Sequence, residues 1–231
     1  MAFYHNILSS KISGSTGGGS TGGVSNFNDF VTGVTTVLYS DVNTIVNGAF
    51  YSWTFLKSID LPNVEILSER AFANCSELIS ANLPKATNIG SNAFFGCNKL
   101  EHLNIPNVAR INSYAIQSAY PLQRIDLPSC TYIDNFAFTN GRSLKAVILR
   151  SETVCTLGAT NAFSGCYHIL GTVHSTYNPN GDKDGYFYVP RALVESYQSA
   201  TNWSNYASQF RALEDYTVDG TTTGALDPNK I

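Results

Sequence analysis

The stretch "LPNVEILSERAFANCSEL" (residues 61–78) is followed by "LPKATNIGSNAFFGCNKL" (residues 83–100). The apolar letters and the Pro keep their places while most polar letters change. Working outward, Leu61, Leu83, Ile105, Leu127 and Leu149 stand 22 residues apart, and so do Leu56, Leu78, Leu100, Leu122 and Leu144. Ile59, Ala81, Leu103, Ile125 and Val147 complete an L-x-x-L-x-L pattern, and Pro follows it at 62, 84, 106 and 128. An aliphatic column comes next (Ile45, Leu67, Ile89, Ile111, Ile133), then Ala before a large apolar residue: Ala49-Phe50, Ala71-Phe72, Ala93-Phe94, Ala115-Ile116, Ala137-Phe138. Ala162-Phe163 arrives three residues late, which places a small insertion around "SETVCTLGAT" (residues 151–160).

A unit of this length cannot bury its own apolar face, so neighbouring units must stack into a solenoid. The L-x-x-L-x-L letters alternate at the period of a strand. Stacked strands make a parallel sheet with about 4.8 Å between rungs. Pro ends each strand because it has no N–H for the ladder. The phenylalanines are expected in one internal file, with Cys75, Cys97 and Cys166 in a core column as small hydrophobes. A bond between Cys75 and Cys97 is compatible with adjacent rungs, though its geometry is demanding.

These units resemble the BspA-like subclass of leucine-rich repeats, of gut-bacterial and bacteriophage type. Copies in that family read roughly L-x-x-I-x-L-P-x-x-V-x-x-I-x-x-x-A-F-x-x-C. The resemblance covers about residues 36–170. It extends into "YFYVPRALVESYQSATNWSNYASQFRAL" (residues 186–213), similar to the strand-and-helix segment that closes many gut-bacterial members. It implies a curved leucine-rich-repeat solenoid, a parallel β-sheet stack of 22-residue repeats with a C-terminal strand–helix cap. It implies binding or adhesion, and no chemistry.

The domain reading follows. Residues 1–12 form an N-terminal docking arm with Phe3, Tyr4, Ile7 and Leu8 as its contacts, and residues 13–23, "SGSTGGGSTGG", a flexible linker. Residues 24–170 are the solenoid, including an N-terminal cap and a degenerate first strand. Residues 171–216 are a C-terminal hairpin and helical cap, with Pro190 opening the helix, and residues 217–231 a tail. Within 171–216, "TVHSTYNPNGDKDGYFYVP" reads as two strands joined by an Asn/Gly/Asp turn.

Composition narrows the partners. Net charge is −3 and no run of Lys or Arg exists to neutralise phosphates, so nucleic acid is not expected. No span reaches the roughly 20 apolar residues of a membrane helix. The N-terminus has no secretory pattern, so a protein made and kept in the host cytoplasm until packaged is expected, unless a signal has been removed. Five cysteines without C-x-x-C spacing suggest neither a disulfide framework nor a zinc site.

Three motif-like patterns have plainer explanations. Gly17-x-Gly19-x-x-Gly22 and Gly18-x-Ser20-x-Gly22 lie in the linker, without the strand and helix that a dinucleotide or nucleophile site needs. Asn180-x-Asp182-x-Asp184-Gly185 resembles the start of a calcium loop, but the twelfth position is Arg191. Asp182 and Asp184 are therefore weak calcium candidates in an acidic turn, and no cofactor is implied. The four histidines show no ligand spacing and no nearby Asp partner, and are expected at the surface or on strand edges.

The candidate site is the polar face of the L-x-x-L-x-L strands: Asp60, Ser80, Asn82, His102, Asn104, Arg124 and Asp126. Lys57, Ile79, Glu101, Gln123 and Lys145 run beside them. This face is expected to be concave and to suit a glycan or peptide. Asp60 and Asp126 are three rungs apart, about 14 Å at the usual spacing. Glycoside cleavage needs carboxyl groups roughly 5–9.5 Å apart, so no enzyme is expected. The expected function is non-catalytic binding or adhesion, as a virion-associated bacteriophage protein that docks through its arm to a protein partner, as a homo-oligomer in an assembly or singly. It would reach a host glycan or surface protein. A bacterial cell-surface or secreted adhesin and an intracellular scaffold are the alternatives.

Overall fold

The computed structural model describes residues 42–216, together with the backbone of residues 12–13 and 36–38. The docking arm residues Phe3, Tyr4, Ile7 and Leu8, nearly all of the linker, and residues 217–231 lie outside the described residues.

Each repeat forms one coil with a three-residue strand on its front and a two-residue strand on its back. The front strands are β2 (Thr36–Leu38), β4 (Ser58–Asp60), β6 (Ser80–Asn82), β8 (His102–Asn104), β10 (Arg124–Asp126) and β12 (Ala146–Ile148). They are continued by β14 (Tyr186–Val189) and β15 (Phe210–Ala212). The back strands are β1 (Ile12–Ser13), β3 (Thr44–Ile45), β5 (Ile66–Leu67), β7 (Asn88–Ile89), β9 (Arg110–Ile111), β11 (Tyr132–Ile133) and β13 (Thr156–Leu157). The chain is thus a leucine-rich-repeat solenoid, and its degenerate first strand is β2, paired in parallel with β4 as Thr36↔Ser58.

Front pairs keep the sequence interval: Ser58↔Ser80 and Asp60↔Asn82, then Ser80↔His102 and Asn82↔Asn104. The back strands from β3 to β13 form an unbroken parallel run, and β1 closes its first edge antiparallel, as Ile12↔Ile45. Ile133 pairs with Leu157 and Phe138 N–H donates to Ala162, so the insertion is absorbed on both sides of β13 without loss of register.

Burial explains the repeat. The Leu, Ile and Ala columns named above are buried except at Leu103, which is half-buried, and all six residues of the Phe50-to-Phe163 column are buried. Fully burying each such Leu, Ile or Phe is worth about 1.5–3 kcal/mol. The phenylalanines stack in two files. Phe50–Phe72–Phe94 lie 4.9 and 5.7 Å apart with rings within 8° of parallel. Phe138 and Phe163 form the second, at 5.3 Å, and Ile116 separates the two. The corners are laddered too: Phe50, Phe72 and Phe94 each donate N–H to the Ala of the next coil at 2.8 Å. The five coils from Gly48 to Asn140 each place left-handed residues at two corners, for example Arg70 and Asn74 (φ 54° and 60°), then Asn92 and Gly96 (φ 57° and 72°).

Beyond Leu149 the fold departs from expectation. The hairpin expected over residues 172–189 does not form. His174 and Asn178 make one isolated antiparallel bridge, while Tyr186–Val189 becomes the next parallel front rung beside β12. The apolar run Phe187-Tyr188-Val189 is buried, and continuing the sheet satisfies more backbone than a hairpin leaning on the solenoid's side. Helix α1 (Tyr167–Leu170) and residues 172–185 bridge the two rungs. A 3-10 turn (Arg191–Leu193), helix α2 (Val194–Ser199) and a second 3-10 segment (Trp203–Gln209) then cover the open end, with Pro190 at the N-cap.

Cys155 takes two of the hydrogen bonds that fasten this cap, beside Asn202 to Leu157 O and Tyr206 to Thr160 O. The Cys155 N–H donates to Tyr197 Oη at 2.8 Å, and its carbonyl accepts Trp203 Nε1–H at 2.6 Å.

Candidate functional site

The front sheet is not continuous. β2, β4, β6 and β8 form one ladder and β10, β12, β14 and β15 another. Where the ladder is interrupted between β8 and β10, the front face carries an open cleft of about 430 Å³ that extends over β6, β8 and β10. Six of the seven expected site residues line it: Ser80, Asn82, His102, Asn104, Arg124 and Asp126. Asp60 lies two rungs from β8, outside the cleft wall. Glu101 and Gln123 add polar rims, and Leu103 and Pro121 are its apolar walls.

Side chains along the front are wired in series. Asn82 Nδ2 donates to Asp60 Oδ1 at 2.7 Å, and Asn104 Nδ2 donates to Asn82 Oδ1 at 2.6 Å. Across the cleft, Asp126 turns to guanidiniums. Arg150 grips it through Nε at 3.0 Å and Nη2 at 2.9 Å, and Arg124 Nη2 approaches at 3.3 Å. His102 is well exposed, with its ring 3.7 Å from Glu101. Arg150 was not foreseen as a site residue. It stands where the earlier repeats carry Pro62, Pro84, Pro106 and Pro128, so the interruption of that column was its signal.

Such a surface offers donors and acceptors in a fixed geometry. Among the described residues, no three His, Cys, Asp or Glu side chains converge as metal ligands. Asp184 uses its carboxylate on Lys145 Nζ at 2.8 Å and His168 Nδ1 at 2.5 Å, which is why the turn does not hold its acidic groups open for calcium. Burial raises its pKa, but the hydrogen bonds and charges of Lys145 and His168 outweigh that and hold it below the usual carboxylate value. His168 also corrects the expectation of surface histidines without Asp partners, being 7% exposed. The sequence separation of 16 residues hid the pair.

All five cysteines are free and buried. Cys75 and Cys97 do not bond. Each thiol donates to the carbonyl of a phenylalanine one coil back, Phe50 at 3.1 Å and Phe72 at 3.2 Å, and Cys166 does likewise to Phe138. Burial pushes the Cys75 and Cys166 thiols up to about 12. The thiols that do meet are Cys130 and Cys155, 4.0 Å apart.

Parallel coils of this length, with Leu columns inside and polar letters outside, define a leucine-rich-repeat protein. Residues 43–170 match the BspA type leucine rich repeat region in six copies, and the chain belongs to that family. No curated protein matches the chain in sequence. Among solved structures, a leucine-rich repeat protein from Bacteroides ovatus is similar at 24% identity and a TM-score of 0.57. That match covers 78% of this chain and 42% of the other, so the chain spans less than half the length of that relative. The T. pallidum leucine rich repeat protein is similar at 22% identity and a TM-score of 0.39, covering 58% of this chain and 55% of that one. A leucine rich cell surface protein from Faecalibacterium prausnitzii is similar at 14% identity and a TM-score of 0.32, covering 77% and 78%. Among the described residues, no helix is long and apolar enough to cross a membrane.

Proposed function

We propose that this is a binding and adhesion protein whose front face, centred on the β8–β10 cleft, contacts a host-surface glycan or protein. The observation that carries the reading is convergence: six polar side chains from three successive coils line one cleft, while the columns beneath them are apolar and, Leu103 apart, buried. The chemistry is recognition by hydrogen bonds and charge. Binding of the purified protein to a glycan array and to host cells, beside an Asn82→Ala/Asn104→Ala/Arg124→Ala triple variant, tests it. Loss of binding in the variant is expected, and undiminished binding would overturn the reading. The finer setting is display on a bacteriophage particle. The composition of residues 1–23, a short apolar segment followed by a Gly/Ser/Thr run, supports a docked arm with a tethered solenoid. Mass spectrometry of purified virions tests that setting, and absence of the protein from the particle would refute it.

A further inference from the structure

The file of amides on the front face has a direction, and that direction collides with one residue. Ionised Asp60 can only accept hydrogen bonds. Asn82 must therefore turn its Nδ2 toward Asp60, which leaves Asn82 Oδ1 facing the next rung, where Asn104 Nδ2 meets it. The amide orientations are thus forced by chemistry rather than chosen between look-alike atoms. Asn104 Oδ1 then faces onward, and the same column in the following rung holds Asp126, which again can only accept. An asparagine there would continue the file. With aspartate, the next rung offers Asn104 Oδ1 no proton, and Asp126 turns to Arg124 and Arg150 instead.

The backbone parts at the same junction. Ile79 N–H reaches Lys57 O at 2.8 Å, Glu101 reaches Ile79 at 2.9 Å, and Lys145 reaches Gln123 at 2.8 Å. The corresponding bond from Gln123 to Glu101 is missing, as is the one from Ile105 to Asp126, although Leu61, Leu83 and Leu127 all make theirs at 2.8–2.9 Å. Leu103 is left half-buried, where Ile59, Ala81, Ile125 and Val147 are buried.

The width and charge of the opening select what fits. Behind it, β9 and β11 stay paired and Ile116 N–H still reaches Ala137 O at 2.8 Å. The coils therefore gape only at the front. An inserted strand would need about 9.6 Å between β8 and β10, twice the normal spacing, which the closed back forbids. A cation is repelled by Arg124 and Arg150, both drawn up to Asp126. An anion brings no proton for Asn104 Oδ1. A neutral hydroxyl does: it donates to Asn104 Oδ1 or Asp126 and accepts from Arg124 or the Gln123 N–H. Leu103 and Pro121 offer apolar contact for a ring's C–H face.

We propose that the seam between β8 and β10 is a subsite for a neutral saccharide, whose hydroxyls bridge the Asn104 amide oxygen and the Asp126 side. This rests on the front-face reading above and names the ligand class and the place.

Asp126→Asn is the telling variant, because it supplies the missing proton donor and lets the file close on itself. The probe is an array of neutral hexose and N-acetylhexosamine oligosaccharides with sialylated ones printed beside them, followed by titration of the best neutral binder. The wild type is expected to bind neutral glycans. Asp126→Asn is expected to weaken that binding on the order of tenfold, the loss of about one good hydrogen bond. Its Gln123 and Ile105 amides should gain protection from hydrogen exchange. Asn104→Leu, which removes the acceptor without adding charge, should lose binding comparably. Wild type that binds no neutral glycan, or sialylated ones only, overturns the inference. So does an Asp126→Asn variant that closes the seam yet binds as before, which would mean the seam holds water only. If the triple alanine variant loses binding while Asp126→Asn and Asn104→Leu keep it, the seam falls and the front-face reading stands. If the triple variant keeps binding, the front-face reading itself falls.

Discussion

Replacing Phe72 with alanine tests the stacked interior directly. Phe72 is fully buried and sits between two rings, Phe50 at 4.9 Å and Phe94 at 5.7 Å. Truncating a buried phenylalanine costs about 3–5 kcal/mol. Each aromatic contact contributes roughly 0.5–1.5 kcal/mol beyond area burial, so two of them put Phe72→Ala near the upper end, about 5 kcal/mol. Phe94 has one stacked ring, because Ile116 follows it in the column, and Phe94→Ala should cost about 3–4 kcal/mol. Phe72→Leu keeps most of the apolar burial and loses the ring contacts, for about 1–3 kcal/mol. Urea unfolding followed by far-UV circular dichroism measures all three, and a Phe72/Phe94 double-mutant cycle should return a coupling of about 0.5–1.5 kcal/mol. A shrinking m-value in Phe72→Ala would show the coils on either side unfolding separately, as nearest-neighbour stacking allows. A cost below about 1 kcal/mol, or additivity within about 0.3 kcal/mol, would refute the claim that these rings share one packed file.

Three further outcomes follow from the cap, the thiols and the half-buried Asp184 cluster. Tyr197→Phe and Trp203→Phe each orphan one backbone group of Cys155, and each should cost about 1–3 kcal/mol in urea unfolding; a cost near zero would mean the cap is fastened elsewhere. In the native protein at pH 8, the five cysteines should resist a thiol-reactive disulfide reagent, since all are buried and burial raises the Cys75 and Cys166 thiols to about 12. Guanidinium should release all five, whereas prompt native labelling would contradict the packing. Asp184 has a folded pKa below its unfolded value, so its contribution is present above about pH 4 and is lost as pH falls through the folded pKa. The melting-temperature gap between wild type and Asp184→Asn should therefore narrow below about pH 4, and a gap unchanged down to pH 2.5 would remove Asp184 from the acid response.

The solenoid was legible because every coil fills the same slots: Leu61, Leu67 and Phe72 predict Leu83, Ile89 and Phe94. The front face was legible for the complementary reason, since residues between core positions on a strand must point outward. The seam was not legible. Asn104 and Asp126 read as one polar column, and only the direction of the Asn82–Asn104 bond shows that the column changes sense there. His168 and Asp184 meet because residues 172–185 fold back, which no period in the sequence encodes. The same holds for Tyr186–Val189, whose apolar run suited a hairpin strand and a further rung equally until its partner β12 was known. Among the cysteines, column membership placed Cys75 and Cys97 one above the other, but both thiols turn to carbonyls, while Cys130 and Cys155 approach across the insertion.

The cap touches the repeats chiefly through their last coil, by way of Cys155, Phe163 and the β12 edge. Because the junctions from β4 to β8 present the same slots, an in-frame duplication of one unit there would lengthen the displayed surface by about one strand spacing without requiring a new lid. Reach and specificity can thus evolve on separate schedules, the first by copy number and the second by rewriting letters that never enter the interior.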